Sequence, residues 1–242
     1  MKQRFFLIAA AVLVAIAGII LLCCLPKDSK TPTPAATEPT PSAASSAPTV
    51  ATNIQDTSIN LGYDLYMTQV GSYTGPFLED GSDEIVSGVL MIRVENRSDR
   101  AVEYATISLQ VTEGTATFAA SCLLPGETIV LLEKNRLPWR STEDYLYPLL
   151  DVPAYYTHDL SLHSDKLSLQ LQEGSIQVVN TSGEDLAGEI VLYFKNKQQG
   201  IYYGGITYRL RMENGLKAGA SCQLLSSHLH QSSTEILFVT MD

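Results

Sequence analysis

From about residue 57 to the C-terminus, large apolar residues recur at every second position in short runs. Val89, Met91 and Arg93 fall on one face of such a run, and Leu90, Ile92 and Val94 on the other. Ile107, Leu109 and Val111 alternate with Ser108 and Gln110, and Ile206, Tyr208, Leu210 and Met212 with Thr207, Arg209, Arg211 and Glu213. A period of two belongs to strands, whose side chains point to opposite faces in turn. Gly, Asn, Asp and Ser between the runs supply turns. Residues 141–150 alone hint at a short helix, which Pro148 limits. The region therefore reads as mainly β, built from antiparallel hairpins.

The first fifth of the chain has a different texture. Lys2 and Arg4 precede an uncharged run over residues 5–25. As a helix, at ~1.5 Å per residue, it reaches about 31 Å and matches a hydrocarbon core about 30 Å thick. The single Ala15-Ile16-Ala17 pattern lies in mid-run, so cleavage there would leave an apolar stub. This favours an uncleaved transmembrane signal-anchor with a short cytoplasmic tail (1–25). Ordinary signal cleavage and lipidation at Cys23 or Cys24 are the alternatives, although Leu22 ahead of Cys23 fits a lipobox poorly. The flanking charge bias puts the tail inside and the C-terminal ectodomain outside a single-pass cell membrane protein.

Residues 26–56 read as a disordered stalk of Pro, Thr, Ser and Ala. Six of the eleven prolines lie between 26 and 52, with no aromatic residue among them. Such a stretch buries too little apolar surface to offset its ordering entropy. Fully extended, it reaches on the order of 80 Å.

The rest carries an internal echo. Val94-Glu95-Asn96-Arg97-Ser98 matches Val178-Val179-Asn180-Thr181-Ser182, 84 positions on. Ala120-Ser121-Cys122-Leu123-Leu124 matches Ala220-Ser221-Cys222-Gln223-Leu224, 100 positions on. Two landmarks in one order predict two tandem antiparallel β-sandwich modules, near 57–134 and 160–242. The offsets imply 16 extra residues in the second, placed at 195–205. A connector over 135–159 holds Trp139, Tyr145, Tyr147, Tyr155 and Tyr156, too aromatic for a free linker, and is expected to pack between the modules.

The Asn-x-Ser turn, the strand Ile190-Val191-Leu192-Tyr193 and the late Gly-rich hairpin resemble the bacterial FxLYD-type, immunoglobulin-like β-sandwich. The motif departs at both ends, with Ile190 for Phe and Phe194 for Asp. Val70-Gly71-Ser72-Tyr73-Thr74-Gly75-Pro76-Phe77 and Gly204-Gly205-Ile206-Thr207-Tyr208-Arg209 are similar to segments of uncharacterised membrane-anchored proteins of Gram-positive anaerobes. The resemblance implies an envelope location and a β fold, and it brings no catalytic residues.

The words for a phosphate loop, a dinucleotide-binding turn, a zinc helix and a nucleophile elbow are missing, which argues against those enzyme classes. Sixteen Lys and Arg against 26 Asp and Glu give a net charge of −10, the wrong sign for a nucleic-acid backbone. Glu79, Asp80, Asp83 and Glu84 form an acidic loop, a candidate calcium site that lacks the helix–loop–helix ligand spacing. His228 and His230, at i and i+2, would face the same way on a strand and bind zinc with His158, His163 or Cys222 nearby. The plainer reading is a solvated loop in each case. Cys122 and Cys222, placed alike in the two modules, read as buried free thiols rather than a disulfide, because equivalent sites in tandem modules lie far apart. Asn96-Arg97-Ser98 and Asn180-Thr181-Ser182 fit the glycosylation pattern but read first as turn chemistry.

Two functions follow as expectations. The first is a non-catalytic membrane-anchored protein that binds or scaffolds an envelope protein or wall polymer, such as an accessory subunit of a membrane machine, with no cofactor. The alternative is an extracytoplasmic enzyme or metal-dependent hydrolase using an acidic or His site.

Overall fold

The computed structural model describes residues 52–241. The anchor and nearly all of the stalk lie outside that range. Fifteen strands follow one another with no helix among the described residues: β1 (Thr52–Gly62), β2 (Leu65–Pro76), β3 (Ile85–Asn96), β4 (Val102–Val111), β5 (Gly114–Leu123), β6 (Thr128–Leu132), β7 (Leu149–Leu150), β8 (Ala154–Tyr155), β9 (Leu167–Gln172), β10 (Ser175–Asn180), β11 (Ile190–Gln198), β12 (Ile201–Tyr203), β13 (Tyr208–Met212), β14 (Ser221–Leu225) and β15 (Thr234–Met241). Residues 141–150, expected to hint at helix, form turns and β7 instead. The first strand also starts early. Thr52, Gln55 and Asp56, assigned to the stalk, pair with Ser72, Val70 and Gln69.

The longest sheet runs β1-β2-β3-β6-β12-β11-β13, with β15 on β11. A four-stranded sheet (β5-β4-β7, with β8 on β4) and a three-stranded sheet (β14-β10-β9) complete the fold. Apolar faces decide how these layers meet. Leu90, Ile92 and Val94 of β3 and Ile129 and Leu131 of β6 pack in one cluster with Ile107 and Leu109 of β4 and Phe118 of β5. Val89 and Met91, on the other face of β3, join Tyr73, Phe77, Val130 and Leu132 in a separate cluster. The near-continuous apolar run from Val89 to Val94 is thus covered on both sides. A third cluster joins Leu167, Ile176 and Val178 to Ile190, Leu192, Phe194, Met212 and Val239. Each such side chain contributes roughly 1.5–3 kcal/mol when fully buried.

One arrangement occurs twice. Asn96 Nδ2 donates to the carbonyls of Arg100 (2.8 Å) and Leu123 (3.0 Å), while its Oδ1 accepts from the Ser98 amide (3.0 Å) and hydroxyl (2.7 Å). Asn180 repeats this with Glu184 (2.7 Å), Leu216 (2.8 Å), and the Ser182 amide (3.0 Å) and hydroxyl (2.7 Å). Both asparagines are buried. The Asn-x-Ser words are therefore buried Asx turns that tie three segments together.

The ladders repeat too. Val94 faces Ile129 as Val178 faces Cys222. These partners lie 84 and 93 positions apart, so the second half holds nine extra residues, not 16. They fall between Phe194 and Tyr208, which pair as Gln110 and Thr115 do. The Ala-Ser-Cys echo misled because Cys122 lies in β5 and Cys222 in β14, which is the counterpart of β6.

The inserted segment ties the halves together. It carries β12, which pairs in parallel with β6, Tyr202 opposite Ile129 and Tyr203 opposite Val130. The aromatic connector contributes as well. Tyr145 is buried in the first cluster, and Tyr156 meets the edge of Phe238, which stacks on Tyr193 at 4.2 Å.

Candidate functional site

The acidic loop, the insertion and the His228 loop converge at one junction, but their carboxylates point in different directions. Asp80 and Glu84 share Arg136, at 3.1 and 2.6 Å, and its guanidinium lies 4.5 Å from the centre of the Phe77 ring. Asp80 is held below the usual carboxylate range, mainly by hydrogen bonds from Ser82 and then by Arg136. Asp83 lies 3.2 Å from His228 Nδ1, and that imidazole stacks on Tyr208 at 4.4 Å. His230 turns to Glu173 at 3.0 Å. The two imidazoles sit in a loop, not on a strand, and each has its own carboxylate. Among the described residues, no three His, Cys, Asp or Glu side chains gather as a metal site requires. His158 and His163 stand apart from the pair in that sense.

Glu79 is turned inward. Its Oε1 accepts the Leu132 amide and its Oε2 the Gly205 amide, both at 2.8 Å, bridging β6 to the insertion. Burial pushes its carboxyl up to about 7, against the pull of these two amides and, more weakly, Lys195. Gly205 is required there, because a Cβ would lie 1.7 Å from the Ala119 carbonyl. Lys195 is fully buried and donates to the carbonyls of Gly204 (3.3 Å), Gly205 (3.2 Å) and Ile206 (2.5 Å). Burial lowers it to about 8, outweighing the attraction of Cys122 and Glu79. The two side chains form no ion pair within 4 Å, so each answers chiefly to its own desolvation. Shifted carboxyls and amines mark active sites in many enzymes. Here their polar atoms are consumed by backbone, and the pair latches the insertion in place.

Cys122 and Cys222 are both free thiols. Burial raises Cys122, beside Tyr156 and Lys195, while Cys222 is half-buried. Arg209 and Arg211 lie on the exposed face of β13, Arg211 reaching Glu189 at 3.2 Å.

An open cleft of about 520 Å³ lies between the Asp99–Ala101 turn, the segment around Pro125, the connector at Tyr156 and His158, and Leu237 of β15. Its charged lining is mixed: Asp99, Glu127 and Asp159 against Arg100. Reading the sequence did not single out this cleft, Lys195 or Glu133. The last is a buried carboxylate that accepts the amides of Thr117 (3.1 Å), Asn135 (2.8 Å) and Leu137 (2.8 Å). For Lys195 a signal existed, a cation directly after the apolar Ile190-Val191-Leu192-Tyr193-Phe194 run and in the same strand.

Comparison with family models, curated proteins and solved structures finds no match.

Proposed function

We propose that this chain is a single-pass membrane protein of the cell envelope whose extracytoplasmic part binds or scaffolds another envelope component, without catalysis of its own. The reading includes a transmembrane signal-anchor, a disordered stalk and two tandem FxLYD-like β-sandwich modules joined by the aromatic connector. The repeated Asn turns and ladders support the modules, and the uncharged run over 5–25 supports the anchor.

One observation carries the binding role. Within seven positions the connector turns four large apolar side chains to solvent: Leu146 (55% exposed), Tyr147 (77%), Leu149 (63%) and Val152 (79%). Tyr104 of β4, whose strand pairs with β7 and β8, is also exposed. Single exposed apolar residues are ordinary, but a cluster of this kind marks a contact surface. A structured connector presents it at low entropic cost, which favours binding.

The test is photo-crosslinking in cells from position 147 or 152. One dominant envelope protein or wall-polymer adduct, absent when the probe sits at exposed Gln170, is the expected result. Equal, scattered products from all three positions would refute the reading.

A further inference from the structure

The outer edge of β14 is bare where its counterpart is covered. β6 and β14 hold the same place in the two halves. Glu133 N donates to Leu90 O (2.9 Å) as Ser226 N donates to Gly174 O (3.1 Å), and Asn96 N to Glu127 O (3.0 Å) as Asn180 N to Ala220 O (3.0 Å). In the first half β12 takes the next place in the sheet, with Gly204 N on Val130 O at 2.9 Å. There Ile129, Val130, Leu131 and Leu132 are buried. In the second half Gln223 stands where Val130 stood. The bonds at Ala220 and Ser226 set the phase of the ladder. Hence the even-numbered residues of β14 bond to β10, and the amides and carbonyls of Ser221, Gln223 and Leu225 point away from it. Among the described residues no strand pairs with that edge. β14 alternates exposed and half-buried along its length, and Leu225 is 72% exposed.

Charge is missing from the sheet face beside this edge. Its rows across β9, β10 and β14 read Gln172-Ser175-Leu225, Gln170-Gln177-Gln223 and Ser168-Val179-Ser221. Edge strands of monomers are usually blunted by lysine, proline, a bulge or a covering segment. β13, at the end of another sheet, carries Arg209 and Arg211. β14 reads Ser-Cys-Gln-Leu-Leu and pairs with β10 without a bulge.

We propose that β14 pairs antiparallel with β14 of a second copy of this chain, about a two-fold axis near Gln223, joining two three-stranded sheets into one of six strands. Two-fold pairing puts Gln223 opposite itself and Ser221 opposite Leu225, so every facing pair is uncharged. Two copies of a chain with net charge −10 meet there without like-charge repulsion across the strands. A second copy cannot supply a β12 instead, because each β12 already covers its own β6. This inference goes beyond the envelope-binding reading and does not depend on it.

The experiment measures the mass of the full chain, corrected for bound detergent, by light scattering over a concentration series under reducing conditions. Gln223→Lys sets two ammonium groups opposite each other, with Cα atoms about 5.5 Å apart. Gln170→Lys places the same charge on the same face, one strand beyond β10. Both sites are exposed, and thermal melts verify folding. The expected result is a dimer whose dissociation midpoint rises at least about tenfold with Gln223→Lys and stays put with Gln170→Lys. A wild-type chain that is monomeric throughout overturns the proposal. So does a dimer that survives Gln223→Lys, or one lost to Gln170→Lys alone.

Discussion

Replacing Glu79 with Gln separates two opposing effects at the latch. The carboxylate is costly to bury, which is why its proton is lost only near pH 7. It also satisfies two backbone amides, at Leu132 and Gly205. Even when protonated, the carboxyl keeps lone pairs on both oxygens and can still accept both amides, its own proton turned aside. Gln keeps one acceptor and turns a donor-only NH2 toward the other amide, leaving that amide unpaired at roughly 1–3 kcal/mol. In the wild type, the folded chain binds more protons than the unfolded chain between pH 4.5 and about 7. Stability attributable to Glu79 is therefore complete below 4.5 and falls as pH rises through that window. The displacement from 4.5 to about 7 corresponds to on the order of 3 kcal/mol, trimmed toward 2 by residual solvent contact. Gln has no such slope. In urea unfolding of fragment 46–242, Glu79→Gln should be less stable than wild type at pH 4.5. The gap should close or reverse by pH 8. Parallel stability curves for the two chains across that range would refute the reasoning.

Lys195 has its proton affinity lowered in the fold, so its penalty is relieved as pH rises from about 8 to 10.5. Lys195→Met should flatten that rise in a denaturation series. Asn96→Ala and Asn180→Ala each strip buried donors and acceptors, and each should lower stability by about 2–4 kcal/mol in urea melts. Gly205→Ala has no room for its methyl group and should destabilise by more than about 3 kcal/mol, measured the same way. Arg136 already neutralises Asp80 and Glu84, so millimolar calcium should leave the melting temperature unchanged; a rise of several degrees would show a bound ion.

The strands were legible because period two survives wherever one face is buried, as along Ile107 and Leu109. The Asn-x-Ser turns were legible because Asn and Ser satisfy the local backbone themselves. The place of the insertion could be read from Gly204-Gly205, but its size could not. Small-residue words such as Ala-Ser-Cys suit any half-buried strand, and here they sit on β5 and β14, which are not equivalent. β1 hid in the end of the stalk because its first residues stay exposed after pairing and leave no apolar rhythm. The latch was illegible for another reason. Glu79 resembled its exposed neighbours in sequence, and only the approach of Gly205, 126 positions away, decides that its carboxylate faces inward.

The parallel ladder between β6 and β12 also sets an order in time. Ile201 follows Leu132 by 69 positions, so a growing chain completes β6 long before the strand that covers it exists. Until then the first half carries a bare edge, the state in which a nascent strand is most open to wrong partners. The contact also joins distant residues, a feature that slows folding. The two halves are joined by the β6–β12 backbone ladder and by the Glu79 carboxyl, which accepts an amide from each, so loss of the second half would leave the first unfinished.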